Sequence, residues 1–148
     1  MSTSLIAPVM ALVLWSIVML IWLMSLRLPA LMKLKIPPEQ ARGGRGSDLD
    51  RILPRELNWP AHNYAHLMEQ PTLFYATVIG LAVLGQGTPL NVGLAWAYVA
   101  IRILHSLWQA TVNSIPVRFG LFLLSSIALG VLAIHGLIAA LRFGGVSA

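Results

Sequence analysis

Leu5–Leu26 reads LIAPVMALVLWSIVMLIWLMSL, twenty-two residues without a charge. A bilayer crossing needs about 20 mostly apolar residues, whereas the apolar core of a secretory signal has only about 7–15. No basic residue precedes the run, so it reads as a retained span. Working outward, Ala76–Ile101 is also uncharged but is broken by the turn chemistry of Gly85-Gln86-Gly87-Thr88-Pro89. Phe119–Leu141 is a third such run. The most economical division is four helices, about 5–29, 62–84, 90–112 and 116–142. With 57% hydrophobic and 10% charged residues, a soluble domain would have nowhere to put its apolar surface. We therefore expect an all-α integral membrane protein, a four-transmembrane-helix antiparallel bundle in one domain over residues 1–148, in contact with membrane lipids.

The charges fix an expected orientation. Lys33, Lys35, Arg42, Arg45, Arg51 and Arg55 fall in the long connection of about 30–60, with Arg27 at its edge. Lys and Arg concentrate in cytoplasmic connections, so this loop is predicted cytoplasmic and both termini non-cytoplasmic. Arg118 agrees with that orientation and Arg142 weakly opposes it. The basic balance is therefore a topology signal and does not point to nucleic acid. Pro37-Pro38 and Gly43-Gly44-Arg45-Gly46 break the loop, which reads as mobile or as a cap over a site. The chain has no cysteine, which excludes disulfides, thiol catalysis and thiolate metal sites; no metal site is expected.

Against this apolar background the polar residues stand out. At 100° per residue, Asn63, His66 and Gln70 project within about 60° of one another, with Glu69 about 60° further round. Arg102, His105, Gln109 and Asn113 lie within about 80° on the third helix. At ~1.5 Å per residue, Glu69 is about 10 Å deep, His105 about 12 Å and Arg102 about 16 Å. Ionisable groups at such depth are costly and mark functional sites by default. Glu69 is the one acid well inside a span and Arg102 the one base, so we expect them to pair. The plainer reading of that pair is that it only fixes helix register. Arg118 falls in the first turn of the fourth helix after Ser114 and Pro116, where a cation opposes the helix dipole and an anion is welcome. His135, isolated near the far end of that helix, stands outside this set. The small residues Gly80, Ala82, Gly85, Gly93, Ala95, Ala97 and Ala100 permit close helix contact. One thin bundle leaves little room for a polar pocket, which favours an oligomer with sites between subunits.

Asn63 followed by Pro71, and Arg102-x-x-His105 followed by Pro116-x-Arg118, give the chain its resemblance to the MAPEG family, the membrane-associated proteins of eicosanoid and glutathione metabolism. The arginine–histidine–proline–arginine spacing is similar to the prostaglandin E synthase branch, and the variant looks bacterial. The resemblance covers the four-span plan and most of residues 55–125. It implies a homotrimer with glutathione as cosubstrate, bound between subunits and open to the cytoplasm. Arg118 would then be catalytic through thiolate stabilisation, with Asn63, His66, Glu69, Arg102, His105 and Gln109 lining or supporting the glutathione site. The chain departs from the family at four points. His66 stands where the family has glutamate, Gln109 where catalytic members have tyrosine, Phe119 where the synthase has a polar residue, and His62 where arginine is common. Two functions follow as expectations. One is a glutathione-dependent transferase or peroxidase acting on hydrophobic electrophiles or lipid hydroperoxides. The other is a non-catalytic trimer that binds a lipid or quinone-like ligand or docks to another membrane complex.

Overall fold

Each apolar run becomes a helix, and one of the four expected helices is broken in two. The computed structural model describes residues 2–34 and 42–144; Lys35, Pro37 and Pro38 of the long loop lie outside the described residues. Helix α1 spans Ile6–Leu34, α2 Arg55–Leu67, α3 Gln70–Val83, α4 Pro89–Thr111 and α5 Ile115–Gly144. A 3-10 helix at Thr3–Leu5 leads into α1, and another at Gly46–Arg51 precedes α2. Helix α1 runs five residues beyond the expected end at 29, because Ala30, Leu31, Met32 and Lys33 are all good helix formers.

The expected helix 62–84 is interrupted at Met68 and Glu69. Pro71 causes the break. It has no N–H to give Leu67, its ring would collide with that carbonyl, and it disfavours helical geometry in the residue before it. The chain instead turns through 3-10-type bonds, Met68 N–H to Ala65 O at 3.0 Å and Glu69 N–H to His66 O at 3.4 Å. Glu69 leaves helical geometry, and its carbonyl accepts from the Thr72 hydroxyl at 2.6 Å.

Contacts at the two ends show how the columns run. Ser2 N–H donates to Ala82 O at 2.8 Å, so the start of the chain meets the end of α3. Arg27, near the end of α1, donates to Asn58 in α2. Helices α2 and α3 together therefore run back alongside α1, and α4 and α5 complete an antiparallel bundle. The turn from α3 to α4 is closed by Gly85 at φ +72°, with Gln86 N–H returning to Leu81 O and Gly85 N–H to Ala82 O. Thr88 then caps α4 through the Asn91 N–H, and Pro89 occupies the first helical position. Gly87 between them is required by crowding, since a Cβ there would collide with the Ser2 side chain.

The distribution of polarity is inverted relative to a soluble protein. Leu12, Met19, Phe74, Val78, Leu81, Val99 and Leu132 pack inside, but so do Asn63, Arg102, His105, Ser106 and Gln109. Leu14, Ile21, Leu73, Val83, Leu104, Ile127 and Leu137 face outward. Lipid tails are as apolar as these side chains, so their exposure carries no penalty in a bilayer. Among the described residues three helices, Thr3–Leu34, Pro89–Thr111 and Ile115–Arg142, are long and apolar enough to cross one. The chain is an integral membrane helical bundle. Of the small residues expected at helix contacts, Ala82 and Ala95 are buried. A side chain added at Gly80 or Gly93 would meet nothing, and Ala97 and Ala100 are exposed, so these four make no close contact within the chain.

Candidate functional site

Helix α4 builds the site because its polar residues repeat every three or four positions and so share one inward face. Gln109 is the hub. Its Oε1 accepts from Asn63 Nδ2 at 2.9 Å and from His105 Nε2 at 3.2 Å, which ties α2 to α4. With Nε2 donating, the lone pair of His105 is on Nδ1, and that atom is buried without a partner. One turn back, Arg102 is only 1% exposed. Its Nε donates to the Tyr98 hydroxyl at 3.1 Å, while Nη1 and Nη2 are buried with no hydrogen-bond partner. The guanidinium carbon lies 5.3 Å from the Tyr98 ring centre and 5.5 Å from that of Phe122. Two aromatic faces soften the charge, by about 0.5–2 kcal/mol each. They do not match an effective desolvation penalty of several kcal/mol. Among the described residues Arg102 is a buried cation lacking an anion.

Arg118 is held at the mouth of the site by the residue that ends α4. Asn113 adopts φ 58°, a left-handed conformation that asparagine tolerates better than other side chains. Its N–H closes on Trp108 O at 2.8 Å, and its Oδ1 accepts from Arg118 Nη1 at 2.8 Å. Arg118 Nε is buried without a partner. A cavity of about 400 Å³ opens here, lined by His66, His105, Ile115, Arg118, Phe119 and Phe122. A neighbouring cavity of about 410 Å³ is lined by Asp50, Arg55, Asn58, Trp59, His62, Val112 and Asn113. Both volumes fall within the range of small-molecule sites. The Asn113–Arg118 bond joins them, since each partner lines one.

Six of the seven expected site residues thus converge. Asn63, Arg102, His105 and Gln109 form the buried network, and His66 and Arg118 line the cavity with His105. The His66 and His105 rings are 5.1 Å apart. Glu69 is the exception, and the expected Glu69–Arg102 pair is not formed within the chain. The Glu69 side chain is 70% exposed, and its Oε2 accepts from His66 Nδ1 at 3.0 Å. The Pro71 break accounts for this, because the angular argument took 62–84 as one continuous helix. Gln70, beyond the break, turns to α5 and donates to Ser126 Oγ at 2.7 Å.

Three contributors were not anticipated from the sequence. Tyr98 and Phe122 hold the Arg102 guanidinium, and both sit at helical spacing from a site arginine: Tyr98 four residues before Arg102, Phe122 four after Arg118. Asn58 lies in the first turn of α2, within the stretch of about 30–60 that the sequence presents as a polar loop. It is 1% exposed and accepts from Arg27, which also donates to Asp50 Oδ1 at 2.9 Å and Gly46 O at 3.0 Å. His62 donates to the other Asp50 oxygen at 2.8 Å. This end of the loop is thereby pinned to α1 and α2 and forms part of a cavity wall, as expected of a cap.

Fold and site together define an integral membrane helical bundle with a buried polar network beneath a cationic mouth. The match to a family model is more specific: the MAPEG family model covers residues 5–138, nearly the whole chain, and the protein belongs to that family. Comparison with curated proteins and with solved structures finds no match.

Proposed function

We propose that the protein is a glutathione-dependent transferase or peroxidase acting on hydrophobic electrophiles or lipid hydroperoxides, working as a homotrimer with its sites between subunits. The observation that carries this reading is Arg118, oriented by Asn113 in the first turn of α5 and facing a cavity with His66 and His105. Arg102 supports it, because its unpartnered Nη1 and Nη2 suit one carboxylate of a tripeptide that carries two. Glutathione supplies the nucleophilic sulfur. Arg118 would favour its thiolate by charge and hydrogen bonding. Asn63, His105 and Gln109 would position the peptide, and Phe119 and Phe122 would meet an apolar co-substrate from the lipid side. Glu69 supports the assembly. A carboxylate so exposed in an apolar column needs water or a second protein copy beside it.

Ultraviolet thiolate absorbance tests this directly. Purified wild-type protein with glutathione should absorb as thiolate near neutral pH. Arg118→Ala should lose that signal and the conjugation of a model aryl halide, while Arg118→Lys should keep part of both. A wild-type protein that binds no glutathione at millimolar concentration in calorimetry would sink the proposal. The competing reading, a trimer holding a lipid or quinone-like molecule, draws on two observations. Gln109 is occupied in holding Asn63 and His105, and Phe119 is 63% exposed to the bilayer. That reading predicts no thiolate signal before any mutation.

A further inference from the structure

A cavity of about 510 Å³ lies at the opposite end of the bundle from Arg118. It is lined by Gln86, Thr88 and Asn91 at the start of α4 and by His135, Ile138, Ala139 and Arg142 near the end of α5. Its polar atoms are ordered. Asn91 Nδ2 donates to Gln86 O at 2.8 Å, which leaves Asn91 Oδ1 as the acceptor for His135 Nδ1 at 2.7 Å. The Nε2 of His135 has no partner among the described residues and is not sealed off. Arg142 is exposed and makes no ion pair among the described residues. The sequence explains why: every Asp and Glu lies between Glu39 and Glu69, and the described ones, Asp48, Asp50, Glu56 and Glu69, belong to the segment before α3 that leads away from this end. The positive end of the α4 dipole points the same way as these groups. Ile138 and Ala139 supply an apolar wall beside them.

We propose that this cavity binds the anionic phosphate group of an amphiphile, a phospholipid headgroup whose acyl chains run down the apolar wall of α5. Arg142 would make charge-assisted hydrogen bonds to the phosphate oxygens, and His135 Nε2 would meet a headgroup hydroxyl or, when protonated, a phosphate oxygen. Asn91 acts by fixing the histidine ring. The site is separate from the Arg118 cavity and does not depend on what that cavity binds.

The test is retention of phosphatidylglycerol. The full chain is reconstituted in phosphatidylcholine vesicles with or without that lipid, extracted gently, and bound lipid is counted by native mass spectrometry as phosphatidylglycerol is titrated. Wild type should retain phosphatidylglycerol selectively and gain thermal stability with it. Arg142→Gln should weaken retention roughly tenfold, the size of one charge-assisted hydrogen bond. Ile138→Trp, which changes no charge and fills the cavity at an exposed position, should weaken it as well. Arg51→Gln removes one charge from the other end and should retain lipid as wild type does. Inorganic phosphate distinguishes the source of the anion: the same stabilisation by free phosphate, lost in Arg142→Gln, would keep the anion site and assign it to a soluble phosphate. Equal retention in wild type and Arg142→Gln, or equal loss in Arg51→Gln and Arg142→Gln, would overturn the proposal.

Discussion

Replacing Arg102 with methionine should leave the protein about as stable as before, although it removes the largest fully buried side chain. The change forfeits one charged hydrogen bond to Tyr98, worth about 1.5–3 kcal/mol, and two aromatic contacts of about 0.5–2 kcal/mol each. It also relieves the desolvation of a guanidinium with two unpartnered nitrogens, several kcal/mol of opposite sign. Methionine is flexible enough to fill the space between Tyr98 and Phe122. The net effect should fall within about 1 kcal/mol of wild type, and glutathione binding should be lost while the fold is kept. Unfolding in mixed micelles followed by tryptophan emission measures the first, and calorimetry the second. A loss of about 3 kcal/mol or more would mean that Arg102 has an anion in the assembled protein after all. Glu69→Gln in the same background identifies that anion. If Glu69 pairs only with His66, as in this chain, the single change costs about 1 kcal/mol or less. The double variant should then be additive within about 0.5 kcal/mol. Coupling beyond that would place the Glu69 of a neighbouring copy against Arg102.

Three further outcomes follow from the geometry. Asn113→Gly keeps the left-handed turn and should hold stability within about 0.5 kcal/mol of wild type, yet lose aryl halide conjugation roughly tenfold because Arg118 is no longer oriented; Asn113→Ala should in addition cost about 1–2 kcal/mol, visible as a lower thermal midpoint. Arg27→Ala removes three hydrogen bonds and leaves the buried Asn58 oxygen unpaired, so hydrogen exchange over residues 46–53 should accelerate at least tenfold, with little change in α4. Glutathione esterified at both carboxylates should bind at least tenfold more weakly than glutathione, and equal affinity would exclude Arg102 as its carboxylate partner.

Much of this arrangement could be read from residue spacing. The apolar runs gave α1, α4 and α5 nearly to their ends, and the 3.6-residue period of Arg102, His105 and Gln109 gave the buried face of α4. Asn63 was placed correctly because it precedes the break in its helix. Glu69 was not, because Pro71 breaks the helix at Met68 and Glu69 and puts Glu69 itself outside helical geometry. Sequence had marked Pro71 as a family feature without drawing its mechanical consequence. Tyr98 and Phe122 were harder to see, since an aromatic residue in an apolar span is ordinary; they become informative only once a buried guanidinium is found between them. The Asn58 and Arg27 contact joins residues thirty-one apart across a loop with no regular period, and no local pattern announces it.

The replacement at position 66 ties these observations together. Histidine stands at position 66 where the family has glutamate, and the acid one turn later faces outward and is engaged by that same histidine. Among the described residues the Arg118 cavity is lined by Arg118, His66 and His105 and by no acid, and Arg102 is buried one turn from His105 on α4. An uncharged quinone-like ligand would offset neither guanidinium, so a trimer holding one would still need its anion from a neighbouring subunit. The proposed ligand, with two carboxylates, would supply the anion that the described residues do not give Arg102. Charge balance thus favours an anionic ligand over a neutral one at this site, and it does so independently of the tyrosine replaced by Gln109, whose loss bears on the chemistry after binding.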